Sequence, residues 1–160
     1  MLRQSNRPAL TLKRDKGVYM SFKKLLIILA AVSAVFAGTY GNLIVKKGCL
    51  VKVYDGDTFY INIKSIPKIF GDTIPVRIYG IDTPELKTKD TTEKQLAIKA
   101  RDTLTKLLTT AKKIELRNVE RDKYFRILGD VYVNDTISVS KYMVSRGLAR
   151  EYFGGTKEDW

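Results

Sequence analysis

Between Leu25 and Val45 the chain carries 21 consecutive residues without a charge, closed off by Lys46 and Lys47. A helix needs roughly 20 apolar residues to cross a bilayer core, so the run is long enough. It is apolar all round rather than on one face, which argues against a helix packed on a globular core. Two readings remain. Met20-Ser21-Phe22-Lys23-Lys24 followed by Leu25 to Ala37 has the basic start, apolar centre and small-residue end, Val35-Phe36-Ala37, of a signal peptide. Counted from Met1, the longer basic segment favours an uncleaved single-pass membrane anchor with its N-terminal side in the cytoplasm. Residues 1 to 24 hold Arg3, Arg7, Lys13, Arg14, Lys16, Lys23 and Lys24 without an apolar period, the pattern of a solvated basic tail. Either way, residues 48 to 160 are expected on the non-cytoplasmic side, tethered or secreted.

Downstream the pattern becomes globular. Leu50 to Tyr54 and Thr58 to Ile63 are β-rich runs flanking Asp55-Gly56, a dipeptide expected to supply the positive φ angles of a tight hairpin. Lys64 to Thr73, with Pro67 and Gly71, reads as a loop. Ile74 to Ile81 returns as a third strand that Pro84 stops. Thr92 and Gln95 have capping-box spacing, and behind them Leu96, Ala100, Leu104, Leu107 and Ala111 recur at helical intervals. Ile114 to Val119 and Ile127 to Val133 follow as strands, Asn134-Asp135 as a turn, and Ser138 as the N-cap of a short helix ending at Gly147. Three strands, a helix, two strands and a helix define a mainly β, α+β domain. The order fits the OB-fold, a five-stranded Greek-key barrel with its helix between strands three and four, here with a short C-terminal helix and an N-terminal hydrophobic helix in front.

At 160 residues the chain has room for one domain and an appendage. Its net charge of +12 divides equally between residues 1 to 45 and the remainder, and it favours a polyanion, nucleic acid or an acidic membrane surface. The absence of histidine removes the commonest general base and transition-metal ligand, so hydrolytic chemistry must run on carboxylates. The single cysteine, Cys49, forbids an internal disulfide and reads as structural.

The stretch Val76 to Glu85, V-R-I-Y-G-I-D-T-P-E, delivers Arg77, Asp82 and Glu85 from one strand into a proline-stopped turn. Strand alternation sets Arg77 and Asp82 on opposite faces, so their convergence requires a bend, for which Gly80 is the natural place. Asp57 and Asp82, at two strand ends, with a turn carbonyl such as that of Thr83, make a hard-oxygen set suited to calcium and less well to magnesium. The proline before Glu85 fixes the chain direction, a way to hold its carboxylate beside a metal-bound water. Arg77 and Arg126 offer two guanidinium forks for a phosphate. Lys123 adds a charge, and Tyr124 an aromatic face or a hydroxyl. Taken singly, each of these is an ordinary turn aspartate or surface cation; their joint occurrence is what points to a site.

D-G-D-T at 55 to 58, R-I-Y-G-I-D-T-P-E at 77 to 85, D-K-Y-F-R at 122 to 126 and G-L-A at 147 to 149 together resemble the thermonuclease, staphylococcal-nuclease-like family, from about Leu50 to Phe153. The resemblance implies an OB-fold, calcium-dependent phosphodiesterase acting on DNA and RNA and leaving 3′-phosphate ends. Matched residue by residue, it gives calcium to Asp57, Asp82 and the Thr83 carbonyl, the attacking water to Glu85, and the scissile phosphate to Arg77 and Arg126. Lys123 and Tyr124 match positions near the substrate phosphate. Three departures stand out: Phe125 replaces the family's usual glycine, the closely spaced tyrosine pair after G-L-A is missing, and a long C-terminal helix is not expected. The alternatives are a catalytically silent OB-fold nucleic-acid-binding module and a lipid-surface protein. The first predicts loss of an acidic or arginine position that this chain retains, and the second leaves the acidic turns unexplained. No protein partner is evident, and a monomer is expected.

Overall fold

The computed structural model describes residues 41–156 and 160. The expected basic tail and the apolar helix up to residue 40 lie outside the described residues. Among those described, no helix is long and apolar enough to cross a membrane. The apolar run also ends earlier than its lack of charge suggests. Its last residues form strand β1 (Leu43–Val45), which pairs with β6 (Ile114–Arg121) in the sheet.

The chain continues through β2 (Leu50–Val53), β3 (Thr58–Ile61), α1 (Lys68–Gly71), β4 (Ile74–Ile78), β5 (Ile81–Asp82), α2 (Thr91–Thr110), β6, β7 (Ile127–Val133), β8 (Ile137–Ser138), α3 (Val139–Ser145) and β9 (Arg150–Glu151). Seven strands form one curled sheet in the order β1-β6-β7-β4-β3-β2, with β8 beside β7, while β5 and β9 form a separate ribbon. All pairs in the sheet are antiparallel except β4 with β7. This mixed sheet with few helices is an α+β arrangement consistent with the OB-fold. The curl follows from β1 and β2 lying at opposite ends of the strand order, although only four residues separate them and Gly48 turns the chain with φ +79°.

β7 alternates strictly, turning Ile127, Val131 and Val133 inward. They meet Phe59 and Ile61 of β3, Val76 and Ile78 of β4, Leu116 of β6, and the inner stripe of α2, Ala100, Leu104 and Leu108. Cys49 is buried in the same core, as a structural cysteine should be.

Four local expectations are corrected. Gly56 does not adopt positive φ. The β2–β3 turn is closed by Asp55, whose Oδ1 accepts the Asp57 N–H at 3.1 Å, and by the N–H groups of Tyr54 and Asp55 donating to the Thr58 carbonyl. Gly56 is needed for a different reason: a Cβ there would lie 2.8 Å from Ala100 Cβ and from Thr83 Cγ2. The 64–73 loop contains the one-turn helix α1. The N-cap of α2 is Asp90 rather than Thr92, because Asp90 Oδ1 accepts the N–H groups of Thr92 and Glu93 at 2.7 and 3.0 Å, drawing Thr92 into the helix. Finally, the third strand does not run unbroken to Ile81; Gly80, at φ +80°, divides it into β4 and β5.

Candidate active site

Four polar or charged residues are buried among the described residues, Asp57, Thr58, Asp82 and Thr83, and all four lie in one place. Burying a carboxylate is costly unless it is paired and hydrogen-bonded. The pairing starts at the β3–β4 ladder, where Thr58 stands opposite Arg77 and the Ile78 N–H donates to the Asp57 carbonyl. Asp57 is thereby held at the end of β3 beside the guanidinium. Its Oδ1 accepts from the Thr58 hydroxyl at 2.9 Å and pairs with Arg77 Nη1, and its Oδ2 accepts from the Thr83 hydroxyl at 3.0 Å.

The bend at Gly80 brings Asp82 back to the same guanidinium. Arg77 Nη2 donates to the Ile81 carbonyl at 2.9 Å and to Asp82 Oδ1 at 3.2 Å. One planar fork thus bridges two carboxylates that sit 25 positions apart in sequence. The β5–β9 ribbon fixes the bend from outside, pairing Asp82 with Arg150, while the Tyr152 N–H donates to the Gly80 carbonyl. Burial holds the Arg77 guanidinium below the usual arginine range, with Asp82 opposing and Arg126 adding to the fall. Burial likewise raises the nearby Asp55 carboxyl, with Arg77 opposing.

Arg126 enters from the parallel neighbour. Val76 of β4 registers with Ile127 of β7, which sets Arg126 alongside the strand that carries Arg77. Asp122 aims it: Oδ1 accepts the N–H groups of Tyr124 and Arg126, at 2.8 and 2.9 Å, and Oδ2 accepts Arg126 Nε at 2.7 Å. Phe125 completes this turn at φ +62° with its side chain 75 % exposed, a conformation that non-glycine residues adopt only at a cost. Lys123 Nζ and Arg126 Cζ lie 5.1 and 5.4 Å from the centre of the exposed Tyr124 ring. Glu85, exposed, follows Thr83 and Pro84; its N–H donates to Glu93 Oε1 at 3.1 Å, which ties the turn to the first turn of α2.

All eight residues singled out from the sequence, Asp57, Arg77, Asp82, Thr83, Glu85, Lys123, Tyr124 and Arg126, line one open cleft of about 540 Å³. The sequence reading gave no part to Thr58, Asp122 or Glu93, which hold those residues in place. Asp122 had a legible signal, an aspartate two to four positions ahead of the N–H groups it caps. Glu93 had none, because its partner lies across a turn.

Fold and cleft together define a class: a mixed-sheet α+β domain with buried acids and paired guanidinium groups at the rim of its sheet. A family profile described as staphylococcal nuclease homologue matches residues 75–159, and the chain belongs to that family. The match starts within β4, so it includes Arg77, Asp82, Glu85 and Arg126 and leaves Asp57 upstream. The chain is 33 % identical over 105 residues to an uncharacterized endonuclease of Escherichia coli, covering 66 % of this chain and 60 % of that protein. It is 30 % identical over 139 residues to a probable endonuclease of Pyricularia oryzae, covering 71 % and 54 %. It is also 33 % identical over 114 residues to an endonuclease of Bacillus subtilis, covering 67 % and 9 %. The chain therefore spans little more than half the length of the first two relatives.

Proposed function

We propose that this chain is a calcium-dependent endonuclease that hydrolyses phosphodiester bonds of DNA and RNA and leaves 3′-phosphate ends. The observation that carries the reading is the single guanidinium of Arg77 shared by two buried carboxylates, Asp57 and Asp82. Two buried carboxylates held this close present hard oxygen donors to one point, the arrangement a divalent cation needs.

The donor chemistry fits calcium. Asp57 and Asp82 approach each other closely enough to share one guanidinium, and both are hard oxygen donors, as is the Thr83 carbonyl between Asp82 and Pro84. Among the described residues no group of three or more acidic, histidine or cysteine side chains gathers, so water would complete the coordination. Bound there, calcium supplies positive charge that offsets that of the diester. The remaining work belongs to side chains. Glu85 takes a proton from the attacking water as its oxygen bonds to phosphorus, the role left to a carboxylate in a chain without histidine. Arg77 and Arg126 hold the non-bridging oxygens and offset their growing charge. The bond from phosphorus to the 5′ oxygen breaks, that oxygen takes up a proton, and the phosphate stays on the 3′ side. Lys123 and Tyr124, at the exposed edge, engage the flanking phosphate and base. The uncharged segment ahead of β1 carries this domain across a membrane, anchored or released, and the domain acts as a monomer.

The test is cleavage of DNA and RNA by the full chain with calcium and then with a chelator, beside Glu85→Gln and Arg126→Ala. Glu85→Gln is expected to slow cleavage by about 10² to 10⁴-fold. Arg126→Ala should cost about 10² to 10³-fold in kcat. Removal of a terminal phosphate by a 3′-phosphatase reads the product end. Cleavage that persists in chelator, or survives in both variants, rejects the assignment.

A further inference from the structure

Phe125, Phe153 and Tyr124 are exposed at or beside the cleft, but Ile69, the most exposed large apolar side chain among the described residues, lies away from it. Ile69 is 85 % exposed and Phe70 68 %, adjacent in sequence on α1, with Ile66 41 % exposed beside them. Single exposed apolar residues are commonplace, but a cluster of large ones marks a contact surface. The loop that carries them is firmly built. The Ile63 N–H donates to the Gly71 carbonyl at 2.7 Å, the Thr73 N–H to Asn62 Oδ1 at 2.8 Å, and the Gly71 N–H to the Pro67 carbonyl at 3.0 Å. Gly71 packs so closely that a Cβ would lie 2.6 Å from the Ile63 carbonyl oxygen. The neck is closed, and the apolar tip is held outward.

The tip is set in positive charge. Lys64 and Lys68 lie on the loop, both exposed, and Lys46 shares with Lys64 a shallow groove of about 150 Å³ that also contains Ile44. Asp72 is the acid on the loop. Three side chains on a convex tip are too few for a stable protein interface, which takes about 20 to 30 residues a side. They do match the headgroup boundary of a bilayer, where apolar groups enter and lysines meet anionic lipid. We propose that loop 64–71 is a membrane-contacting tip, inserting Ile69 and Phe70 among the headgroups of an anionic bilayer while Lys46, Lys64 and Lys68 bind its surface charge. The tip holds the domain against the lipid independently of the cleft's chemistry.

The experiment uses the full chain reconstituted in vesicles of phosphatidylcholine, with or without phosphatidylserine, carrying brominated acyl chains. Trp160→Phe removes the single native tryptophan, and Phe70→Trp places a reporter at the tip. The expected result is quenching of that reporter by brominated lipid in the anionic vesicles alone. Lys64→Glu with Lys68→Glu should lower tip occupancy by about fivefold or more for each lysine changed. Ile137→Trp, an exposed position on β8, is the control and should stay unquenched. Equal quenching in neutral and anionic vesicles, equal quenching of both reporters, or none at position 70 overturns the proposal. So does protection of the position 70 reporter from aqueous acrylamide that grows with protein concentration without lipid, which assigns the tip to a second copy of the chain.

Discussion

Asp122 acts through Arg126, and its titration makes that role measurable. Burial acts to raise its carboxyl, but the Arg126 backbone and guanidinium and the Tyr124 N–H outweigh that and hold it below the ordinary 3.8. Because the folded value is the lower one, the unfolded chain takes up the proton first. The turn's contribution to stability is therefore complete above 3.8 and lost as pH falls through the folded value. Asp122→Asn should remove that acid limb, so its stability deficit in urea unfolding shrinks from neutral to strongly acid pH. If Arg126 acts on the substrate, kcat should also fall, by up to about 100-fold for a misaimed group, with KM little changed. A constant deficit at all pH values contradicts this. Phe125 is the converse case. Its exposed ring contributes little packing, and left-handed backbone costs an L-residue about 1 to 2 kcal/mol. Phe125→Gly is expected to stabilise by up to about 1 kcal/mol after the entropy glycine loses on folding. A fall in the urea midpoint would show that the ring supports the turn.

At the scale of elements, the site is made by interruptions of strands. Gly80 breaks β4 from β5 and returns Asp82 to Arg77, and the close approach at Gly56 lets the β2–β3 turn pack on α2 and Thr83. Gly56→Ala forces a methyl against Ala100 Cβ and Thr83 Cγ2, each 2.8 Å from the added atom. Such overpacking typically costs about 1 to 3 kcal/mol. Since Thr83 must give way, loss of its hydroxyl bond to Asp57 should accompany the lowered melting temperature. Unchanged melting and unchanged metal response would mean that α2 shifts freely. Alternation exposed the strand cores and helical spacing exposed α2. The β5–β9 ribbon left no trace in the sequence pattern, because two-residue strands are too short to show a period and their pairing joins segments far apart in the chain.

The whole molecule sets the cation balance of the cleft. A ligand that binds only the folded chain raises its stability with concentration, by about 2.7 kcal/mol at a hundredfold excess over its Kd. Calcium titration should therefore raise the melting temperature of the full chain, and Asp82→Asn should abolish the shift whether or not substrate is cut. A melting temperature indifferent to calcium removes the metal from the proposed mechanism while leaving the proposed phosphate contacts of Arg77 and Arg126 standing. The parallel pairing of β4 with β7 is the feature on which the cleft depends, because it sets two guanidinium groups from distant segments side by side.

The sequence by itself determined which residues could matter. Hydrophobic alternation, the bend-forming Gly80, the missing histidine and the spaced acidic and basic motifs were all local or compositional, and the family resemblance drawn from those motifs was borne out. Tertiary structure alone decided that Asp57 and Asp82 share one guanidinium, that Glu93 holds Glu85, and that Leu43–Val45 is strand. The reason is physical: each of those facts is a contact between groups far apart in the chain or across a turn, and no periodicity along one segment encodes what a different segment brings to it.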